Sequence, residues 1–192
     1  TNTSTNEYCK KQNTKNDPNN ICTHCYSWTM LKTFRKNMAP ALERNSILLN
    51  SKILHPDALP VINQAFFRFN SHGELALDKK KATINLINYI NIAIKNPHCN
   101  FALWTKRFDI IKPYFDKNKK PKNFILVYSN PKINHIFKKP PTHFDKTFNN
   151  VYENIEVKKQ NCTGQKCKDC LLCYKLNTTD TIVEKVKSYG KK

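Results

Sequence analysis

Glycine is nearly absent from this chain, at three residues in 192. That excludes collagen-like repeats, glycine-rich linkers and multi-turn phosphate-cradling loops, which need many positions open to close approach or positive φ. Arginine is almost as scarce: Arg35, Arg44, Arg68 and Arg107 are the four among 33 basic residues. Bidentate readout of bases and phosphates relies on arginine, so the chain is poorly equipped to read nucleic-acid sequence. Acidic residues number 14, and no pairing of carboxylates with a lysine on one strand suggests a nuclease. No run approaches the roughly 18 apolar residues of a membrane span. The segment Thr1 to Lys11 is polar and lacks the apolar stretch of a signal peptide. GxSxG, HExxH and P-loop signatures are missing as well, which argues against the common hydrolases.

What remains is a 22.5 kDa chain with 39% hydrophobic and 11% aromatic residues. One domain of this size buries roughly 70% of its unfolded surface. The net charge of +19 rests on lysine, 33 basic residues less four arginines, and it is accompanied by 25 asparagines. Lysine and asparagine in excess are what an AT-rich genome writes at unconstrained surface positions. The functional alternative is a polyanion or nucleic-acid partner, since phosphate neutralisation needs only positive charge.

The eight cysteines are more informative than the charge. Seven lie in two groups near opposite ends of the chain: Cys9-x12-Cys22-x2-Cys25, and Cys162-x4-Cys167-x2-Cys170-x2-Cys173. An x2 spacing lets neighbouring thiolates turn onto one metal centre. A disulfide framework is an alternative, although stapled secreted domains are usually much smaller. Zinc is another, although it typically takes two Cys-x2-Cys knuckles separated by a loop. The compact C-terminal run matches iron–sulfur spacing better. Cys162, Cys167, Cys170 and Cys173 are therefore expected as ligands, followed by Cys22 and Cys25, and then Cys9. Three thiolates on a [4Fe–4S] cluster leave one iron open for chemistry. Alternatively Cys9 is no ligand, and Cys22 and Cys25 join the C-terminal group at one shared site. Cys99 reads as a buried small hydrophobe, and His24, between Cys22 and Cys25, as a residue pointing away. Thiolate ligation needs a reducing compartment, which points to the cytoplasm.

Between the two groups the pattern alternates helix and strand. Helical spacing is read over Ser27–Asn37 and Ala41–Leu49, and over Lys80–Ile94 with Ile84, Ile87, Ile90 and Ile94 near one face. Strands are expected at Val61–Asn70, Asn100–Thr105 and Asn123–Ser129, with a helix or turn-rich segment at Phe108–Asp116. The fold class is α/β: a small, mostly parallel, partial-barrel-like β-α-β-α-β sheet with Cys-rich metal-binding segments at both ends. Residues 1–27 are read as an N-terminal cysteine segment, 28–157 as the core, and 158–192 as the C-terminal cysteine segment with a basic tail. Pro131–Pro141 and Phe144–Val157 show no periodicity and are expected to form a surface excursion. Thr178–Tyr189 reads as a closing helix.

In parallel sheets, ligands gather at the carboxyl ends of strands. Arg68, His72 and Glu74 flank such an end and are the catalytic candidates, with Gly73 and Glu74 as cofactor contacts. Thr105-Lys106-Arg107 and Ser129-Asn130 complete the expected rim. An ordinary turn with solvated His72 and Glu74 is the alternative.

The segments CTHCY, FRFNSHGEL, NPHCNFALWTKRFD, FILVYSNP and CTGQKCKDCLLCY, spread from Ile21 to Tyr174, together resemble the phage-borne gene product 88 family. That resemblance implies an iron–sulfur protein of undefined biochemical role and a phage origin. A second likeness is to radical S-adenosylmethionine enzymes. Cys22-Thr23-His24-Cys25-Tyr26 is similar to the end of their cluster motif, and His72-Gly73-Glu74 to the segment that holds the methionine amine. The twelve residues between Cys9 and Cys22 replace that family's three, and only about half of its strands are expected here. The functions left open are a redox or radical enzyme using S-adenosylmethionine, an electron carrier or sensor with a redox partner, a zinc-stabilised basic nucleic-acid binder, and a cluster-stabilised nuclease.

Overall fold

A computed structural model describes residues 1–152 and 160–187. Its centre is a five-stranded, all-parallel sheet in the order β1-β2-β3-β4-β5. The strands are β1 (Phe66–Phe69), β2 (Asn100–Thr105), β3 (Phe124–Ile133), β4 (Lys146–Val151) and β5 (Thr181–Lys185). Six helices accompany them: α1 (Glu7–Asn13), α2 (Tyr26–Lys32), α3 (Ala39–Ser51), α4 (Lys79–Lys95), α5 (Phe108–Phe115) and α6 (Cys167–Cys170). No described helix is long and apolar enough to cross a membrane.

Spatial order equals chain order, so every crossover steps one strand in the same direction. Crossovers of one hand then put their helices on one face of the sheet, and α4 and α5 do share one core. α4 starts at Asp78, whose Oδ1 accepts from the Lys81 N–H at 2.8 Å. It buries a stripe of Ala82, Leu86, Tyr89 and Ala93 against the sheet. Phe69 lies between Tyr89 and Phe101, at 4.1 and 5.2 Å between ring centroids. Side chains alternate along a strand, so Phe101, Leu103, Phe124 and Leu126 face the helices. Ile125, Val127, Phe148 and Ile182 form a second core on the opposite face, joined by Trp104, Cys162 and Cys173. Full burial of each large side chain contributes about 1.5–3 kcal/mol. The face opposite α4 and α5 is covered by the cysteine-bearing segments, with α1, α2 and α6.

The expectation of three strands was too few. β4 escaped notice because Lys146, Asn149 and Asn150 are buried in it and break the apolar signature of a central strand. Lys146 and Asn149 are satisfied internally: Lys146 Nζ donates to Thr178 Oγ1 and the Thr179 carbonyl at 2.9 and 2.6 Å. Asn149 Oδ1 accepts from Asn130 Nδ2 and the Phe137 N–H at 3.1 and 3.0 Å. The expected excursion after Asn130 thus contains the end of β3 and all of β4. The expected helix over Thr178–Tyr189 is instead β5 through Lys185, paired residue for residue with β4 from Thr147↔Thr181. Residues 188 and 189 of that segment and the tail beyond Gly190 lie outside the described residues, as does the boundary drawn between residues 157 and 158.

Two smaller corrections concern register. β1 covers only Phe66–Phe69 of the expected Val61–Asn70, because the Ile62 N–H is taken by Asn96 Oδ1 at 2.7 Å rather than by a ladder. The buried face of α4 is only partly the one expected: Ile90 is in the core but Ile94 is 60% exposed, while Asn85 and Asn88 are inside. Asn88 is buried because it bonds the Leu54 N–H and the carbonyls of Leu49 and Lys52. Cys99 is fully buried in the helix-side core, consistent with its reading as a small hydrophobe.

Candidate functional site

The face of the sheet opposite α4 and α5 carries a cavity of about 240 Å³. Cys9, Cys22, Cys25, Cys162, Cys167, Cys170 and Cys173 all line it. The two cysteine groups, far apart in sequence, share one space. Arg68 of β1, Trp104 of β2, Phe148 of β4 and Ile182 of β5 form its floor, and Glu74, Lys106 and Ser129 stand at its strand-end side.

The N-terminal group is built by three short devices. Asn6 caps α1, its Oδ1 accepting from the Cys9 N–H at 3.0 Å, and its Nδ2 reaches the Glu74 carbonyl at 2.7 Å. That pair ties Cys9 to the loop after β1. Asn13 Nδ2 donates to the Cys22 carbonyl at 2.8 Å, and Asn20 Oδ1 accepts from the Cys22 N–H at 2.9 Å. The Ile21 N–H bonds the Pro131 carbonyl at 2.8 Å, which anchors the turn to the far end of β3. Cys25 then opens α2 as its N-cap residue. His24 does not simply point away, since it lines the cavity and its Nε2 lies 3.1 Å from the Pro18 carbonyl and 3.2 Å from the Tyr152 hydroxyl.

The C-terminal group hangs from β5. The Cys162 N–H donates to the Val183 carbonyl at 3.1 Å, and its Sγ lies 3.5 Å from Glu184 Oε1. Cys167 and Cys170 bound the single turn of α6, and Leu171 leaves it with φ of 55°. That left-handed conformation is unfavourable for a residue with a Cβ, and it turns the chain back so that Cys173 reaches the floor. Tyr174 closes the segment against Phe66, 4.8 Å between ring centroids.

Burial raises the thiol pKa values in both groups: Cys9 and Cys22 upward, Cys162 to about 11 and Cys173 to about 12. Each group has its own cation. Lys106 counteracts the rise at Cys9 and Cys22, and Arg68 that at Cys173. Burial pulls Lys106 down, but Cys22, Glu74, Cys25 and Cys9 together hold it above its ordinary value. Its Nζ donates to Ser129 Oγ at 2.9 Å.

Of the strand-end candidates, Arg68, Gly73 and Glu74 line the cavity and His72 does not. His72 Nδ1 lies 2.8 Å from Ser27 Oγ, which in turn meets Thr3 Oγ1 at 2.5 Å. The ring is 95% buried in that network, so it joins α2 to the loop after β1. Gly73, at φ of 90°, sits against Thr1, where a Cβ would come within 2.6 Å of Oγ1. Glu74 is consumed by protein contacts. Its Oε1 accepts from Thr105 Oγ1 and the Leu75 N–H at 2.6 and 2.8 Å, and its Oε2 from the Lys106 N–H at 2.8 Å. That is the geometry of a latch between the ends of β1 and β2. Arg107, part of the expected rim, turns away to Asp109 and to the carbonyls of Ala76 and Leu77. The residue missed was Trp104, although it alternates with Leu103 in NFALWT and so belongs to the face opposite the helices.

The family model described as gene product 88 matches residues 2–182. The chain belongs to the gene product 88 family. No curated protein and no solved structure matches this gene product 88 chain.

The donor set of this gene product 88 protein suits a soft, thiophilic centre: seven thiols against two lining carboxylates, Glu74 and Glu184. Glu184 is paired with Lys187 at 2.8 Å. Among the described residues, no three His, Cys, Asp or Glu side chains are close enough to hold one metal ion. Coordination by either cysteine group therefore requires side-chain rotation within the cavity, together with loss of the thiol protons.

Proposed function

We propose that this is a phage-encoded iron–sulfur protein whose redox chemistry takes place on the face of the sheet opposite α4 and α5. One observation carries the reading: seven of the eight cysteines, drawn from both ends of the chain, line one cavity, while Cys99 sits in the opposite core. Cys162, Cys167, Cys170 and Cys173 would hold one cluster, and Cys9, Cys22 and Cys25 a second [4Fe–4S] cluster with a coordination position left for a small ligand. An iron–sulfur cluster supplies one-electron transfer. The chain supplies the rest. Arg68 and Lys106 offset the negative charge of the thiolates, Trp104, Phe148 and Ile182 exclude water from one wall, and the raised thiol pKa values make loading release protons and weaken as pH falls. S-adenosylmethionine is the ligand to test at the N-terminal centre. With Glu74 occupied by Thr105, Lys106 and Leu75, recognition of its amine would fall to other groups.

The test is anaerobic purification of the full chain with iron, sulfide and zinc quantified, followed by the same assay on Cys25→Ser and Cys170→Ser. About four irons and four sulfides should be lost in each variant if each group holds its own [4Fe–4S] cluster. Loss of everything in both variants would indicate one shared centre. A spectral change on adding S-adenosylmethionine, abolished by Cys25→Ser, is expected of an open N-terminal position. Zinc without sulfide would overturn the redox reading in favour of a metal-stapled basic protein with a polyanion partner.

A further inference from the structure

Two buried N–H donors lining the cavity have no hydrogen-bond partner among the described residues: Arg68 Nε and Trp104 Nε1. Buried polar groups in native proteins are nearly always paired, and two orphans in one wall point to a common acceptor. They belong to one construction. The Arg68 guanidinium stacks 3.7 Å from the Trp104 ring centroid, and the Trp104 ring packs 4.2 Å from Phe148. Stacking fixes the plane of the guanidinium, and with it the direction of its N–H groups.

The acceptor is not a carboxylate of the cavity. Glu74 is occupied by Thr105, Lys106 and Leu75, and Glu184 by Lys187 and the Cys162 thiol. What shares this wall is sulfur. Cys162 and Cys173 pack on the same apolar cluster as Trp104, and Arg68 is the cation that acts on Cys173. Lys106, the cation of the other group, instead shares its ammonium with Ser129.

We propose that Arg68 and Trp104 donate hydrogen bonds to the thiolate and sulfide sulfurs of the centre held by Cys162, Cys167, Cys170 and Cys173, and so raise its reduction potential. This rests on the iron–sulfur reading above. Reduction adds one electron to the centre and breaks no bond. The added charge resides partly on sulfur and strengthens each N–H···S contact, so the donors favour the reduced form. The two clusters then differ in potential because one is served by a stacked guanidinium and an indole, the other by a lysine. Arg68 and Trp104 act by contacting the centre itself and need touch no substrate.

The experiment uses full-length protein carrying Cys25→Ser, so that only the C-terminal centre remains, compared with the same protein plus Trp104→Phe or Arg68→Lys. The first change removes the indole N–H and keeps a ring, and the second keeps the charge and removes the planar fork. Iron and sulfide are counted, and the midpoint potential is read by redox titration followed by electron paramagnetic resonance. Each variant should keep its metal and shift the equilibrium about tenfold toward the oxidised form, which is 59 mV for one electron. Full metal content with unchanged potentials in both variants overturns the inference and leaves the iron–sulfur reading standing. Parent protein without iron and sulfide overturns both. Should Arg68→Lys fail to fold, Trp104→Phe alone decides.

Discussion

Glu74 decides between two accounts of the loop after β1, and its substitution separates them. As a latch, its carboxylate satisfies Thr105 Oγ1 and two backbone N–H groups at 2.6 to 2.8 Å, with only 5% of the residue exposed. In Glu74→Gln the amide oxygen can still accept from Thr105 and Leu75, but the amide nitrogen meets the Lys106 N–H. One buried donor is left unsatisfied, at a cost of about 2 kcal/mol. For a chain of this size that lowers Tm by about 4–8 °C. Glu74→Ala strands all three donors and should cost about 3–6 kcal/mol. The assay is urea and thermal unfolding of metal-chelated protein, where no cofactor contributes. As a cofactor ligand, Glu74 would instead be dispensable to the chelated fold. Both variants unfolding within about 0.5 kcal/mol of the parent would refute the latch.

Three further outcomes follow from the same contacts. Arg107 is 3% exposed and its Nε and NH2 engage Asp109, which is half-exposed; Asp109→Asn should cost about 1–2 kcal/mol by calorimetry after allowance for solvent screening. The Arg107 hydrogen bond lowers the Asp109 pKa below 3.8, so this contribution is complete above that pH and disappears as pH falls through the lowered value. A difference between parent and variant that persisted unchanged at lower pH would contradict it. Lys146→Met preserves the apolar stem but leaves Thr178 Oγ1 and the Thr179 carbonyl without their donor; about 1–3 kcal/mol should be lost in urea unfolding, and more for Lys146→Ala. Phe101→Ala, in the centre of the helix-side core, should cost about 3–5 kcal/mol without changing the metal content of the opposite face.

How far the sequence could be read depended on where polarity sat. β2 and β3 are apolar runs and were legible, as was the end of α4 before Asn96-Pro97. β4 was not, because Lys146, Asn149 and Asn150 look like surface residues until their partners in neighbouring strands and loops are known. The stripe of α4 was misjudged for a related reason: isoleucine outnumbers the alanine, leucine and tyrosine that reach the sheet, and Asn88 is drawn inside by three backbone groups of the segment after α3. The cysteine spacing identified every thiol lining the cavity. It left open whether both groups face one space, which follows from β5 returning beside β4. Nor could it distinguish His72 from Glu74, since neighbouring residues in a turn diverge according to which donors surround them.

The cavity is also assembled in an awkward order. β1 to β4 each pair with the strand just made, so the sheet grows as the chain does, but the wall that closes over Cys9, Cys22 and Cys25 comes from residues after Cys162. The 136 positions between Cys25 and Cys162 take a ribosome about 7–27 s to add. For that interval the first three thiols stand on an unroofed sheet, open to oxidants and to stray metal. If the protein holds iron–sulfur clusters as proposed, iron delivered before Cys162 to Cys173 are made would meet a site with four of its seven thiols missing.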